Sequence, residues 1–247
     1  MGGSKVSAVA TNTEDADLHA SSDEYARRFS DDAGQWMLSV QEQMTLSLLD
    51  HDAVTILDVG GGHGQIAVPL MNAHRNVTVL GSAPACAQRL DPFIQNGVIS
   101  FKVGNLIEIP FADKSFDTVV CFRLLSHCTQ WRQLIREMCR VARRSVILDY
   151  PVWTSVNCLS PLLFKLKKNL EGNTRTFTLF SNSEVKREFR KSGFNSATIK
   201  KQFFLPMALH RALKSSAHSK QMEGLCRSLG LTHLFGSPVI AKMTRSE

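Results

Sequence analysis

The densest chemistry in the chain lies in Asp58-Val59-Gly60-Gly61-Gly62-His63-Gly64, a glycine cluster that follows the apolar run Thr55–Val59. Glycines let a ligand approach the main chain closely and permit turns closed to other residues. An acid at the end of a strand, two residues before the first glycine, suits a ligand that carries an ammonium and a sulfonium. A dinucleotide would instead place its pyrophosphate at a helix N-terminus. Its fingerprint fits only as Gly62-x-Gly64-x-x-Ala67, late relative to the strand and with no acid about twenty residues on to hold a ribose. A tight turn without a ligand is the third reading. His63 is then a residue that orders the bend.

Further candidates follow from position. His127, in Leu124-Leu125-Ser126-His127-Cys128, comes just after a strand, where an imidazole can take a proton from a hydroxyl near neutral pH. Asp149 and Tyr150 end another strand and are expected to line an acceptor pocket, as is His210, with Arg211, after the apolar run Phe203–Leu209. Core packing, turn formation and capping are the competing roles for all of these. No cysteine or histidine spacing matches a metal site, so no metal is expected.

The elements that must position these residues alternate. Strands are expected at Thr55–Val59, Asn76–Leu80, Val98–Val103, Phe116–Phe122, Ser145–Tyr150, Ala197–Leu205 and Pro238–Thr244, several of them continuous apolar runs as in a parallel sheet covered on both faces. A helix should follow Ser30 as N-cap, Ser82 should cap a helix with Pro84 in its first turn, and Pro69 should kink the helix after the bend. Trp131–Arg143 reads as a helix, Ser181 and Glu184 as a capping box, and Met222–Leu229 as a helix closed by Gly230. The fold expected is α/β, a doubly wound and mainly parallel seven-stranded sheet with right-handed crossovers. Residues 1–22 are small and polar and are expected to be a disordered tail. Residues 23–247 make one domain, with 152–180 as a helical lid insertion that includes an amphipathic helix over Leu159–Leu170.

Three blocks resemble the class I S-adenosylmethionine-dependent methyltransferases, especially the branch that includes the ubiquinone and menaquinone methyltransferases. They are the glycine motif, Gly104-Asn105-Leu106 with Ile109–Val120, and Arg136–Arg143. The resemblance covers about Tyr25 to Tyr150. It implies S-adenosylmethionine as cofactor, with Asp58, Gly60, Gly61 and Gly62 near its methionine part, Gly81 and Ser82 near its ribose, Asn105 and Leu106 beside its adenine, and Phe122 on the opposite wall. The family usually has an acid at the end of the second strand to hold the ribose hydroxyls. Val79-Leu80-Gly81-Ser82 offers none, so either cofactor binding is weakened or Ser82 or a water substitutes. Asn105 stands where the family often has Asp, and an amide can both accept from and donate to an adenine.

The 247 residues carry a formal charge of +7, which admits an anionic partner without demanding one. Lys165, Lys167 and Lys168, then Lys186, Arg187, Arg190 and Lys191, form basic clusters that offer peripheral contact with anionic surfaces, or are solvated helix faces. There is no strong nucleic-acid signal. Cysteines 86, 121, 128, 139, 158 and 226 lie mostly in apolar runs without a CxxC pair, as reduced core thiols of a cytoplasmic protein. No apolar run reaches the ~18–20 residues of a membrane span, and none at the start reads as a signal peptide. The function expected is methyl transfer to a small, lipophilic or aromatic acceptor. The alternatives are an RNA or protein methyltransferase, or an inactive cofactor-binding scaffold.

Overall fold

Strands apolar on both faces need cover on both sides, and the chain supplies it by returning through a helix after most of its early strands. The computed structural model describes residues 15–155 and 177–246. Three helices lead in: α1 (Asp17–Ala20), α2 (Asp23–Arg27) and α3 (Asp32–Leu48). The alternating part follows as β1 (Thr55–Val59), α4 (Ala67–Asn72), β2 (Asn76–Gly81), α5 (Asp91–Gln95), β3 (Ile99–Val103), β4 (Phe116–Cys121), α6 (Trp131–Val141) and β5 (Ala142–Tyr150). The chain closes with α7 (Asn182–Arg190), β6 (Phe194–Phe203), α8 (Met207–Leu213), α9 (Ser216–Ser228), α10 (Leu231–Phe235) and β7 (Ser237–Arg245).

The seven strands run in the order β3-β2-β1-β4-β5-β7-β6. β1 pairs in parallel with β2 and β4, and β7 is antiparallel to both β5 and β6. The order reverses between β1 and β4, so a crevice opens outside their carboxyl ends, where ligands bind in such sheets. Alternation splits the core across the sheet. Leu57, Val59, Val119 and Cys121 pack on the α6 and α7 side, while Ile56, Val79, Val120 and Ile147 pack on the α3 and α4 side.

Several boundaries differ from the sequence expectation for local reasons. Residues from Asp17 onward are folded, as α1 and α2, where a tail to residue 22 was expected. Asp31 rather than Ser30 caps α3, accepting from Gly34 N–H at 2.6 Å, while Ser30 Oγ donates back to the Arg27 carbonyl and closes α2. Pro69 falls in the first turn of α4, where its missing N–H has no intrahelical partner to lose, so it produces no kink. Ser82 caps nothing; a 3₁₀ turn over Pro84–Leu90 follows it. α6 stops at Val141 and β5 begins at once, earlier than Ser145. The capping box at Ser181 is formed, with Glu184 N–H donating to its Oγ at 3.1 Å.

After β5 the chain leaves the sheet and returns beside its own exit: Val152 and Phe180 form a parallel bridge, with Trp153 N–H on the Phe180 carbonyl at 3.0 Å. The expected helix over Leu159–Leu170, and with it Cys158 and the lysines at 165, 167 and 168, lies outside the described residues. Of the other five cysteines, Cys86, Cys121, Cys128 and Cys139 are buried and Cys226 is partly exposed.

Candidate active site

At the exit of β1 the backbone turns through Gly60 at φ 74°, a left-handed conformation that favours glycine, and Gly60 N–H is held by the Leu80 carbonyl at 2.8 Å. Gly61 lies directly on the Asp58 carboxyl; a Cβ there would sit 2.1 Å from Asp58 Cγ. Asp58 is fully buried and neither of its oxygens has a hydrogen-bond partner among the described residues, and burial pushes its pKa up to about 7. His63 Nδ1 accepts from Gln65 N–H at 3.1 Å. Burial, with Arg123 close by, pushes its pKa down to about 3, so the ring is neutral and orders the turn.

The facing rim comes from the exit of β4. Arg123 takes a left-handed backbone conformation at φ 59°, and its N–H donates to Asp149 Oδ1 at 2.6 Å. Gln41 on α3 ties the two together, donating to Asp149 Oδ2 at 3.3 Å and accepting from Arg123 Nη2 at 3.1 Å. Burial raises the Asp149 pKa to about 6 in spite of these bonds. The Arg123 guanidinium stacks over the Phe29 ring at 4.1 Å, and its Nη1 is buried with no partner. Leu124 and Asp17 stand over Gly60, at 3.0 and 3.3 Å from where its Cβ would be.

Among the described residues, buried polar atoms without a partner therefore gather at this bend: Asp17 Oδ1, both oxygens of Asp58, His63 Nε2, Ser82 Oγ and Arg123 Nη1. Leaving one such group unpaired costs ~1–3 kcal/mol, and a charged one more. Carboxylates, a hydroxyl and a guanidinium around one bend suit a small ligand with a cationic part, hydroxyls and a carboxylate. Among the same residues no cluster of His, Cys, Asp and Glu could hold a metal ion.

The structure gathers some of the expected residues here and not others. Gly60 to Gly62, Gly81 and Ser82 flank the bend. Asn105 spends its Oδ1 on Ile107 N–H at 3.2 Å, a local turn that leaves its amide nitrogen for a ligand. Leu106 is buried in the core on the α6 side. Phe122 does not form a wall: its side chain is in the core with Ile56, Val120 and Ile147, on the opposite face from Cys121. Tyr150 is likewise a core residue rather than an acceptor contact. Its hydroxyl meets Asn182 Oδ1 at 3.1 Å, its ring packs against Phe180, and burial pushes its pKa up. Asp149 positions Arg123 from beneath. His210 is fully buried between Trp36 and Phe203 with Nε2 3.2 Å from Glu223, which makes it part of the scaffold. His127 sits at the rim, its ring 5.7 Å from that of Phe177, where Thr178 N–H meets the Ser126 carbonyl at 2.9 Å. Sequence reasoning missed Asp17, Gln41 and Arg123. Ala16 and Ala20, spaced four apart and both buried, were the only hint that α1 exists.

Residues 57–148 match the methyltransferase domain family. An O-methyltransferase of Aspergillus sclerotiorum is 31% identical over 153 residues, 56% of this chain and 54% of that protein. A demethylmenaquinone methyltransferase of Deinococcus radiodurans is 32% identical over 111 residues, 42% of this chain and 46% of that protein. The chain thus spans about half the length of the curated relatives it matches. Among solved structures, a SAM-dependent methyltransferase of Thermotoga maritima superposes with a TM-score of 0.63 at 16% identity, covering 90% of this chain and 95% of that one. The magnesium protoporphyrin IX methyltransferase of Synechocystis, with bound SAH, gives a TM-score of 0.61 at 16% identity, covering 91% and 94%. These structural likenesses speak to the fold.

Proposed function

From a chain that carries a methyltransferase domain over residues 57–148, we propose a S-adenosylmethionine-dependent enzyme that methylates a small acceptor with lipophilic or aromatic surface. The observation that carries this reading is the gathering of unpartnered buried polar groups at the bend after β1. An ammonium would relieve the orphaned Asp58 carboxyl, and a carboxylate would relieve Arg123 Nη1. Asn105 would meet the adenine with its amide nitrogen. When bound, this cofactor supplies a methyl group activated for in-line displacement. The chain's own part is to orient, to exclude water and, where the acceptor is a hydroxyl, to take its proton.

His127 is the residue for that last task. It stands at the carboxyl edge of the sheet, beside the place where the chain returns from its excursion after β5. Phe177 lies against it, and Trp131 and Phe180 pack edge to face behind, so an aromatic acceptor would meet an apolar surface. The curated relatives named above include an O-methyltransferase and a demethylmenaquinone methyltransferase, which favours the small-molecule class. Lys186, Arg187 and Arg190 on α7 remain for contact with an anionic surface, whereas Lys191 is taken by Glu188 at 2.7 Å. No helix among the described residues is long and apolar enough to cross a membrane.

The test is transfer of a labelled methyl from S-adenosylmethionine into fractionated cell extract, with the product followed into organic solvent. Label should appear there, and His127→Ala should cut it by roughly 10²–10⁴-fold while S-adenosylhomocysteine affinity holds. Absence of both transfer and S-adenosylhomocysteine binding overturns the reading. Unchanged turnover in the variant removes His127 from the base role alone.

A further inference from the structure

The second strand ends without an acid, and the structure explains why none fits. A Cβ on Gly81 would lie 2.7 Å from Phe101 Cζ and 2.9 Å from Cys86 Cβ, so no carboxylate can stand at that position without displacing a packed ring. The space beside it is not left without one. Asp17, on α1, is buried to 1% exposure, and its Oδ2 accepts from Ser82 N–H at 2.9 Å and lies 3.3 Å from Cys86 Sγ. Its Oδ1 is buried and has no partner among the described residues. Its Cβ is close to Gly60, so one side chain bridges the bend after β1 and the turn after β2.

We propose that Asp17 is the ribose-binding acid of this protein, delivered from the N-terminal helix instead of from the sheet. The inference rests on the cofactor reading above. A vicinal diol brings two O–H donors, and a carboxylate with one oxygen anchored and the other unpaired is an acceptor fixed in place for them. The anchor matters: Ser82 N–H and Cys86 hold Oδ2, so Oδ1 does not have to be ordered on binding.

Calorimetry on the full chain with S-adenosylhomocysteine, and with its 2′,3′-dideoxy analogue, tests this. The wild type should bind the parent compound and bind the analogue more weakly. Asp17→Ala should weaken the parent by roughly 10–100-fold, in line with loss of hydrogen bonds to a charged acceptor, and Asp17→Asn by less. The analogue should bind wild type and Asp17→Ala within about twofold, the signature of a contact made to the diol. A general loosening of the fold would weaken both compounds equally and would overturn the proposal. So would tighter binding of the parent by Asp17→Ala, which would make Asp17 a plug. Should the wild type bind neither compound, the cofactor reading itself falls. Should it bind the parent and Asp17→Ala match it, only the role of Asp17 falls.

Discussion

Asp58 and Glu223 are both buried carboxyls, at 0% and 3% exposure, and the protein treats them in opposite ways. Glu223, on α9, is surrounded by donors. Phe204 N–H and Leu205 N–H reach it at 3.0 and 2.8 Å, His210 at 3.2 Å and Thr232 Oγ1 at 3.4 Å. Burial pushes its pKa up, but bonds to His210 and to the two backbone amides outweigh that, so it stays charged below the usual range. Asp58 has no partner, and burial alone sets its pKa. A fully paired acid holds the β6–α9 corner together. An unpaired one costs folding energy that no contact among the described residues recovers, which is expected where a ligand completes the site.

The largest effects should be reciprocal. Asp58→Ala should reduce methyl transfer to background without lowering the melting temperature. Glu223→Ala should lower stability by about 3–5 kcal/mol, since it strands His210 and two amides, and leave S-adenosylhomocysteine affinity unchanged. Denaturant unfolding and calorimetry on the pair check this, and a large loss of stability in Asp58→Ala would break the contrast. The next effect is in pH. Asp58 has a folded pKa raised to about 7, so between the unfolded carboxylate value and pH 7 the native state holds the extra proton. Its cost to stability grows as pH rises from about 4 and is complete above 7, on the order of 4 kcal/mol. Asp149, raised to about 6, contributes in the same direction over the lower part of that window. Asp58→Asn should therefore be more stable than wild type at pH 8, with the gap closing toward pH 4. Glu223 has the opposite sign: its stabilisation is present above the unfolded glutamate pKa and fades as pH falls through its lowered folded value. The smallest effect is Thr232→Val, which removes one of several donors to Glu223 and should cost about 1 kcal/mol in the same unfolding assay.

How much of this was legible in the sequence differs between the two corners. The strands around the bend were read within a few residues, because a parallel sheet covered on both faces leaves continuous apolar runs that little else produces. The glycine bend was legible for the same reason, since Gly60 and Gly61 answer to backbone shape and close approach. Asp17 was not. Its role depends on a tertiary docking of α1, and a four-residue helix leaves almost no periodic trace. Tyr150 was misplaced by ignoring alternation: it shares the face of Val146 and Leu148, which the core claims. His210 was misplaced because the apolar run before it divides between β6 and α8, and the helical turn carries the imidazole inward to an acid thirteen residues on. Arg123 was hidden because only the pairing of β4 with β5 brings Asp149 beneath it.

The strand order has a consequence for how the molecule is made. Among the described residues β6 joins the sheet only through β7, which follows it in the sequence. Until residues 237–245 emerge, the open flank of β5 and the whole of β6 are bare edges, available to any passing strand. The nascent chain thus leaves these edges open to mispairing after the half of the sheet that carries the glycine bend already has all its strands.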